Sequence, residues 1–522
     1  MSGEGTRCLQ FGVGERASAR SGVWIVPACF LLVAGWLVAR ALAAPLNHDE
    51  SQYVAAAVLS GQSLIFRDFL SLQPPLHAWL LAPVAWAFAG DSFIALRMTS
   101  AAMGLVALAA VYAAQRGLGI GKWPALAATV LMAGCDAFQF TAAVVRNDMA
   151  PTMLLALGLL AALTGIRRGE YGWWAAAGLL FGLATSAKLS FAPPLAVAGL
   201  FLLAHVRDRR IGVAAVLAFG CGGLAGLVPM AIGYLAGPDA FIYGTLTFGS
   251  TAPFDWYRAN GLHYRLAPSG KLGDLAYFAI LGPTVAALAL VGWDGVRRWR
   301  GEKLAGFSLE QRLLIALILA GLIGAYLPTP VQRQYLMPLM PPLFIALGAA
   351  LAAIASRRGR AIALAVLGLF ALFGFAKAGW PMLRAATHGA PAVVVDDQAE
   401  WIGDALRAQR LTGPVASLSP ERLVDSGYPV DPRFATGPFV YRSGALVSPR
   451  DAERFRVLTA GTLFAALDRA PPAAILTGYE AGTRKFSIAP DAGLIAYARA
   501  RSYRAVRLPD GIGVLHIRPQ RR

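Results

Sequence analysis

Acidic and basic side chains gather at a few short stretches of this sequence where they could act on one another or on a bound molecule. These are Asn47-His48-Asp49-Glu50, Arg67-Asp68-Phe69, Gln73-Pro74-Pro75-Leu76-His77, Arg146-Asn147-Asp148, the isolated Lys188, and Gln332-Arg333-Gln334-Tyr335. A carboxylate can take a proton from a hydroxyl, and a lysine or arginine can hold an anionic group through charge-assisted hydrogen bonds. Each residue also has a plain structural reading. Asn47 can cap a helix with Glu50, three residues on, returning a bond to the cap, whereas Asp49 has no such duty. Asp148 could simply pair with Arg146 at an interface, Lys188 could snorkel to headgroups, and Arg333 could anchor the start of a helix. His48, His77 and His263 lack metal-ligand spacing, so a divalent ion is left open without support. The aromatics between 238 and 271, among them Phe248, Trp256 and Tyr257, read as an interface belt rather than a stacking platform.

The elements that must position these residues follow from composition. The chain has 522 residues, 57% hydrophobic and 15% charged, with a formal charge of +18. A soluble domain is usually about 45–50% apolar and about 25% charged, so the composition excludes an ordinary soluble protein and implies a polytopic membrane protein. The basic excess is then topology, pinning loops to the cytoplasm, rather than a nucleic-acid footprint. Cys8, Cys29, Cys135 and Cys221 have no paired spacing and imply no disulfide framework.

A spanning helix needs roughly 20 apolar residues to cross about 30 Å of hydrocarbon. Eleven runs qualify, near 22–44, 92–115, 122–143, 149–166, 172–187, 189–206, 211–237, 273–293, 311–327, 334–355 and 361–380. The first is too long for a signal-peptide core and is expected to stay uncleaved. The run 76–90 would reach only about 22 Å. Counting it as a span would move Arg167, Arg168, Arg207, Arg297, Arg298, Arg357 and Arg358 outside, against the positive-inside rule. It is therefore expected to lie along the outer surface, with Trp79 and Trp86 at headgroup depth.

The resulting map has a cytoplasmic tail over 1–21, a membrane domain over 22–384 with outer loops at 45–91 and 238–272, and an outer domain over 385–522. The last is richer in charge and reads as α/β: a helix over 396–409, a strand over 415–419, a helix over 461–469, a strand over 473–477 and a hairpin over 503–517. On this map every reactive stretch falls on the outer side, where they could converge on one pocket.

The order of these motifs resembles the C-type glycosyltransferases, more narrowly the bacterial relatives of the protein O-mannosyltransferases and of the aminoarabinose transferases that modify lipid A. The likeness lies in the Asp-Glu that opens the first outer loop, the following Pro-Pro-Leu, Arg97-Met98-Thr99-Ser100 at the start of the second span, and Arg-x-Asp before the fourth, and it covers about residues 22–380. It implies a C-type glycosyltransferase fold of about 11 transmembrane helices with an outer-face interfacial helix and a C-terminal soluble α/β domain.

It implies further an enzyme taking sugar from a polyprenyl-phosphate donor, with Asp49 as or near the base, Glu50 beside it, and Asp148 as the acid between the third and fourth spans. Lys188 would contact the lipid phosphate. From the residues themselves, Arg146 or Arg333 could help it, and Arg67, Asp68, His77 and Tyr335 are further candidates for substrate binding. The acceptor could be lipid A or lipopolysaccharide, another envelope glycan, or a protein. The chain departs from the aminoarabinose transferases at Gln73, where they carry an acid, so no metal or acceptor contact is carried over there. The Ala-rich composition and lack of a retention tail favour a bacterial inner membrane, with the outer side periplasmic. The rival class, a lipid or solute transporter, usually shows repeated halves and charges near the midplane, and the sequence shows neither.

Overall fold

The computed structural model describes residues 24–208, 210–302, 306–480 and 489–520; the tail expected over 1–21 lies outside the described residues. The first half runs α1 (Ile25–Ala43), α2 (Glu50–Leu59), α3 (Leu76–Ala87), α4 (Ser92–Gly117), α5 (Lys122–Ala133), α6 (Asp136–Ala143), α7 (Met149–Arg168), α8 (Tyr171–Ala187), α9 (Ala192–Arg207), α10 (Val213–Gly226) and α11 (Val228–Ala236). There follow α12 (Pro238–Ile242), α13 (Phe248–Ala259), α14 (Pro268–Ile280), α15 (Thr284–Glu302), α16 (Leu309–Tyr326), α17 (Met340–Ala353) and α18 (Arg357–His388).

Among the described residues, eight helices are long and apolar enough to cross a membrane, or ten if each of two bent pairs is one span. The apolar runs fold this way because in hydrocarbon only a helix satisfies its own backbone. The run expected over 172–187 forms α8, whose 17 residues reach about 25 Å. It reaches its partner α10 through small residues: a Cβ at Gly182 would overlap the Gly223 carbonyl. Helix α3, at 12 residues, is too short to span.

The expected spans over 122–143 and 273–293 are broken. α5 and α6 meet at 66°, α14 and α15 at 94°. The two breaks touch each other, with Asp136 N donating to the Leu281 carbonyl at 2.9 Å. Gly282, at φ +122°, makes this approach possible, since a Cβ there would stand 2.8 Å from Cys135 Cα. Both pairs thus bring non-helical backbone into the protein interior rather than to lipid.

Helix α18 carries on to His388, past the boundary expected at 384. Beyond it come α19 (Pro391–Arg407), α20 (Pro438–Arg442), α21 (Pro449–Arg454), α22 (Leu463–Arg469) and α23 (Asp491–Ala500), with β1 (Val415–Ser417), β2 (Ala474–Thr477), β3 (Arg504–Arg507) and β4 (Val514–Ile517). The sheet order is β1-β2-β4-β3, β1 parallel to β2 and the rest antiparallel. Alternate residues serve two cores: Val415, Leu476 and Leu515 pack with Ile402 and Leu406 of α19, while Ala416 and Ile475 pack with Leu467, Leu494 and Tyr497 of α22 and α23. This domain is docked on α2, α3 and the start of α4. Ala392 and Val395 share a core with Tyr53, Leu81 and Phe93, and the Asp425 carboxylate accepts from Ser92 N and Phe93 N at 2.7 and 2.9 Å, closing the start of α4.

Candidate functional site

The chain leaves α6 at Val144 in extended conformation and re-enters helix after Asp148, so Val145, Arg146 and Asn147 form a short connector at the head of α7. Glu50 holds this connector in place. Its carboxylate accepts from Val145 N at 3.0 Å and Asn47 N at 2.8 Å, and it is paired with Arg97 at 2.5 and 2.8 Å. Arg97 in turn donates to the Ala41 and Ala44 carbonyls at the end of α1. Glu50 and Arg97 have no exposed side-chain surface. The Asn47 bond is the one the capping reading expects, but α2 starts later than that reading has it, with Asp49 rather than Asn47 at the N-cap position and no cap bond from the Asp49 side chain.

Asp49, one residue earlier, meets the connector from the other side of this lock. Its Oδ2 accepts from Arg146 Nη1; Arg146 Nε donates to Asp148 Oδ2 at 3.1 Å; and Lys188 Nζ donates to Asp148 Oδ1. The result is an alternating row, Asp49–Arg146–Asp148–Lys188, from three separate loops. Arg146 is held further by Asn47 Oδ1 at 2.9 Å and by the rings of Tyr53 and Phe140, with centroids 5.7 and 5.4 Å away. Lys188 lies 5.2 Å from the Tyr335 ring centroid. Asp148 is wholly buried, whereas Asp49 keeps 29% of its side chain exposed.

This row borders a cavity of about 530 Å³ lined also by Gln52, Gln73, Phe140, Arg333, Gln334 and Tyr335. Asp49 is the one carboxylate among its lining residues, against Arg146, Lys188, Arg333 and Arg442. Burial works against the charged form of Asp49, but the charge and hydrogen bond of Arg146 prevail and hold its carboxyl below the ordinary carboxylate range. Burial pulls Lys188 below the ordinary lysine range although Asp148 opposes it. The arrangement offers an ionised carboxylate at one side and a set of cations suited to an anionic group.

The remaining candidates are placed differently. Arg67 and Asp68 form an exposed pair at 2.8 Å outside the cavity lining, with Asp68 also accepting from Leu64 N. His77 is buried beneath Tyr53 with both ring nitrogens unpartnered, and burial drives its pKa down to about 3, so it is neutral. Arg333 bonds Asp136 at 3.3 Å and lies 3.5 Å from the Phe140 ring centroid. Among the described residues no three His, Cys, Asp or Glu side chains gather as a metal site. Gln73 accepts instead from Asn147 at 2.7 Å.

The reading of the 238–271 aromatics as an interface belt needs correction, since Phe248, Trp256 and Tyr257 line the cavity. α13 turns them inward. Arg442, which the C-terminal domain supplies, lines the cavity as well. Its guanidinium lies 4.4 Å from the Trp256 ring centroid and 4.6 Å from that of Phe439. No sequence signal marks it, because only the docking of that domain brings α20 to the cavity.

Residues 72–233 match the model of a family described as dolichyl-phosphate-mannose-protein mannosyltransferase. The crystal structure of ArnT from Cupriavidus metallidurans bound to undecaprenyl phosphate has a TM-score of 0.60 at 16% identity, covering 96% of this chain and 100% of that one. The oligosaccharyltransferase of Archaeoglobus fulgidus in its apo form has a TM-score of 0.51 at 12% identity, over 88% of this chain and 70% of that one. No curated protein matches the chain by sequence. The chain is a multi-pass membrane protein with the C-type glycosyltransferase fold.

Proposed function

We propose that this protein is a membrane glycosyltransferase that moves a sugar from a polyprenyl-phosphate donor to an acceptor hydroxyl. The observation that carries the reading is the row Asp49–Arg146–Asp148–Lys188 at the wall of one cavity, in this fold. Displacing a phosphate from an anomeric carbon passes through an oxocarbenium-like state, with charge appearing on the departing oxygen. Asp49 would take the acceptor proton. Lys188, Arg146 and Arg333 would hold the phosphate, with Asp148 fixing the first two in place. Asp148 is sealed by two cations, so among the described residues that line the cavity Asp49 has no second open carboxylate beside it to form a glycosyl-enzyme, which favours a single displacement with inversion.

The family description and the undecaprenyl phosphate of the ArnT structure support the lipid donor. The loop charges support a cytoplasmic N-terminus with both cavity and C-terminal domain on the outer face, which is periplasmic in the bacterial inner membrane that the Ala-rich composition favours. Lipid A or lipopolysaccharide, another envelope glycan and a secreted protein all present hydroxyls there. The test is incubation of the purified chain in nanodiscs with labelled polyprenyl-phosphate sugars and each acceptor class. Transfer or release of sugar that depends on Asp49 is expected. Intact donor in every arm, or full turnover by Asp49→Asn, overturns the reading.

A further inference from the structure

A second group of charges lies beside the cavity, where α1, α6, the turn opening at Arg333 and α18 meet. Asp136 is buried at the α5–α6 break and bonded by Arg333 at 3.3 Å and by Lys377 at 2.9 Å. Arg40, 6% exposed, lies near Arg333 and Asp136, and its Nε and Nη1 are buried with no acceptor. Arg97, also near Arg40, is neutralised by Glu50. One carboxylate therefore answers three cations, in surroundings where an unpaired charge is costly.

The group is open on its membrane side. Phe373, Lys377 and Trp380 follow helical spacing on one face of α18; the two aromatics are exposed and the Lys377 side chain is 38% exposed. On its other side it adjoins the cavity, because Arg333 and Arg146 lie against the same Phe140 ring. We propose that Arg40 and Lys377, with Arg333 at the border shared with the cavity, form a second anion site that takes the phosphate headgroup of a membrane lipid reaching it past α18. The surplus is two positive charges: a polyprenyl phosphate monoester, with about 1.5 to 2 negative charges near neutral pH, offsets it, the phosphodiester of a glycerophospholipid offsets about half, and either supplies acceptors to the Arg40 donors. The headgroup is that of a polyprenyl phosphate or of a glycerophospholipid.

The test is native mass spectrometry of the purified full chain titrated, in separate arms, with undecaprenyl phosphate, phosphatidylglycerol and inorganic phosphate. Wild type is expected to hold one more lipid phosphate than Lys377→Gln, or to hold it at least about tenfold more tightly, the scale of one lost charge-assisted bond. Lys188→Gln should keep that lipid. The arm that fills the site identifies the source. Lys377 is partly exposed, so its variant remains informative if Arg40→Gln fails to fold. Equal lipid uptake by wild type and Lys377→Gln, or saturation by inorganic phosphate alone, overturns the proposal. Lipid uptake that depends on Lys377 without sugar transfer would count against the transferase reading and not against this site.

Discussion

Asp49 bonds Arg146 at the cavity wall, while Glu50, the next residue, is sealed against Arg97 at 2.5 Å with no exposed side-chain surface. Two acids one position apart thus have separate environments. Glu50 fixes the 145–147 connector and, through Arg97, the end of α1; Asp49 faces the space in which a substrate would sit.

Replacing Asp49 with Asn should leave insertion and melting temperature near wild type and lower sugar transfer by at least about a hundredfold, the scale of a lost general base. The check is the initial rate in nanodiscs beside a thermal melt. A large drop in melting temperature would mark Asp49 as a structural ion instead.

Replacing Glu50 with Gln should do the opposite. It leaves the Arg97 guanidinium buried without its counter-charge, at a cost of about 3–5 kcal/mol. Poor recovery and early thermal unfolding are expected, and a variant that melts with wild type contradicts the lock described above.

For Lys188→Ala the effect should fall on donor binding, with apparent donor affinity weakened at least about tenfold because a charge-assisted contact to phosphate is lost. Unchanged affinity would mean that Lys188 serves only to neutralise Asp148.

The pH profile separates the two ends of the site. Asp49, held below its usual 3.8 against the effect of burial by Arg146, stays ionised throughout the neutral range, so it adds no acid limb there. Burial lowers Lys188 from 10.5, and its charge is lost as pH rises through that lowered value. The alkaline fall in kcat/KM should therefore begin below about pH 10.5. In Lys188→Arg it should move upward, since arginine keeps its proton; an unmoved limb assigns the fall to another group.

In the C-terminal domain, burial lifts the Glu421 carboxyl from 4.5 to about 7; Arg422, 3.9 Å away, works against this. The protonated form is the one the fold favours. Stability present below pH 4.5 is therefore lost as pH rises through about 7. Glu421→Gln should remove that slope and stabilise the protein at pH 8 by up to about 3 kcal/mol. Melting curves between pH 4 and 8 that run parallel for the two proteins would refute this.

The reading from sequence captured the elements better than their junctions. The C-terminal hairpin expected over 503–517 is β3 and β4, and the strands at Val415 and Ala474 pair in parallel. These were legible because alternation and turn residues are local. The breaks at Gly134 and Gly282 were not, because each is held by the other, from a segment far along the chain. Phe248, Trp256 and Tyr257 were read as a belt because an amphipathic aromatic suits a headgroup layer as well as a cavity wall.

By itself, the sequence determined that this chain crosses a membrane repeatedly, that it ends in a small α/β domain, and that a few acidic and basic residues stand at the heads of its helices. Hydrophobic run length and charge asymmetry decide those points, and both are summed along the chain. Tertiary structure decided which side chains meet. It set Asp49 and not Glu50 at the cavity, joined Asp148 to Lys188, brought Arg442 in from the C-terminal domain, and gathered Arg40 and Lys377 around Asp136. Those pairings depend on helix packing and domain docking across hundreds of residues, where a one-residue difference in facing separates a buried lock from an open carboxylate.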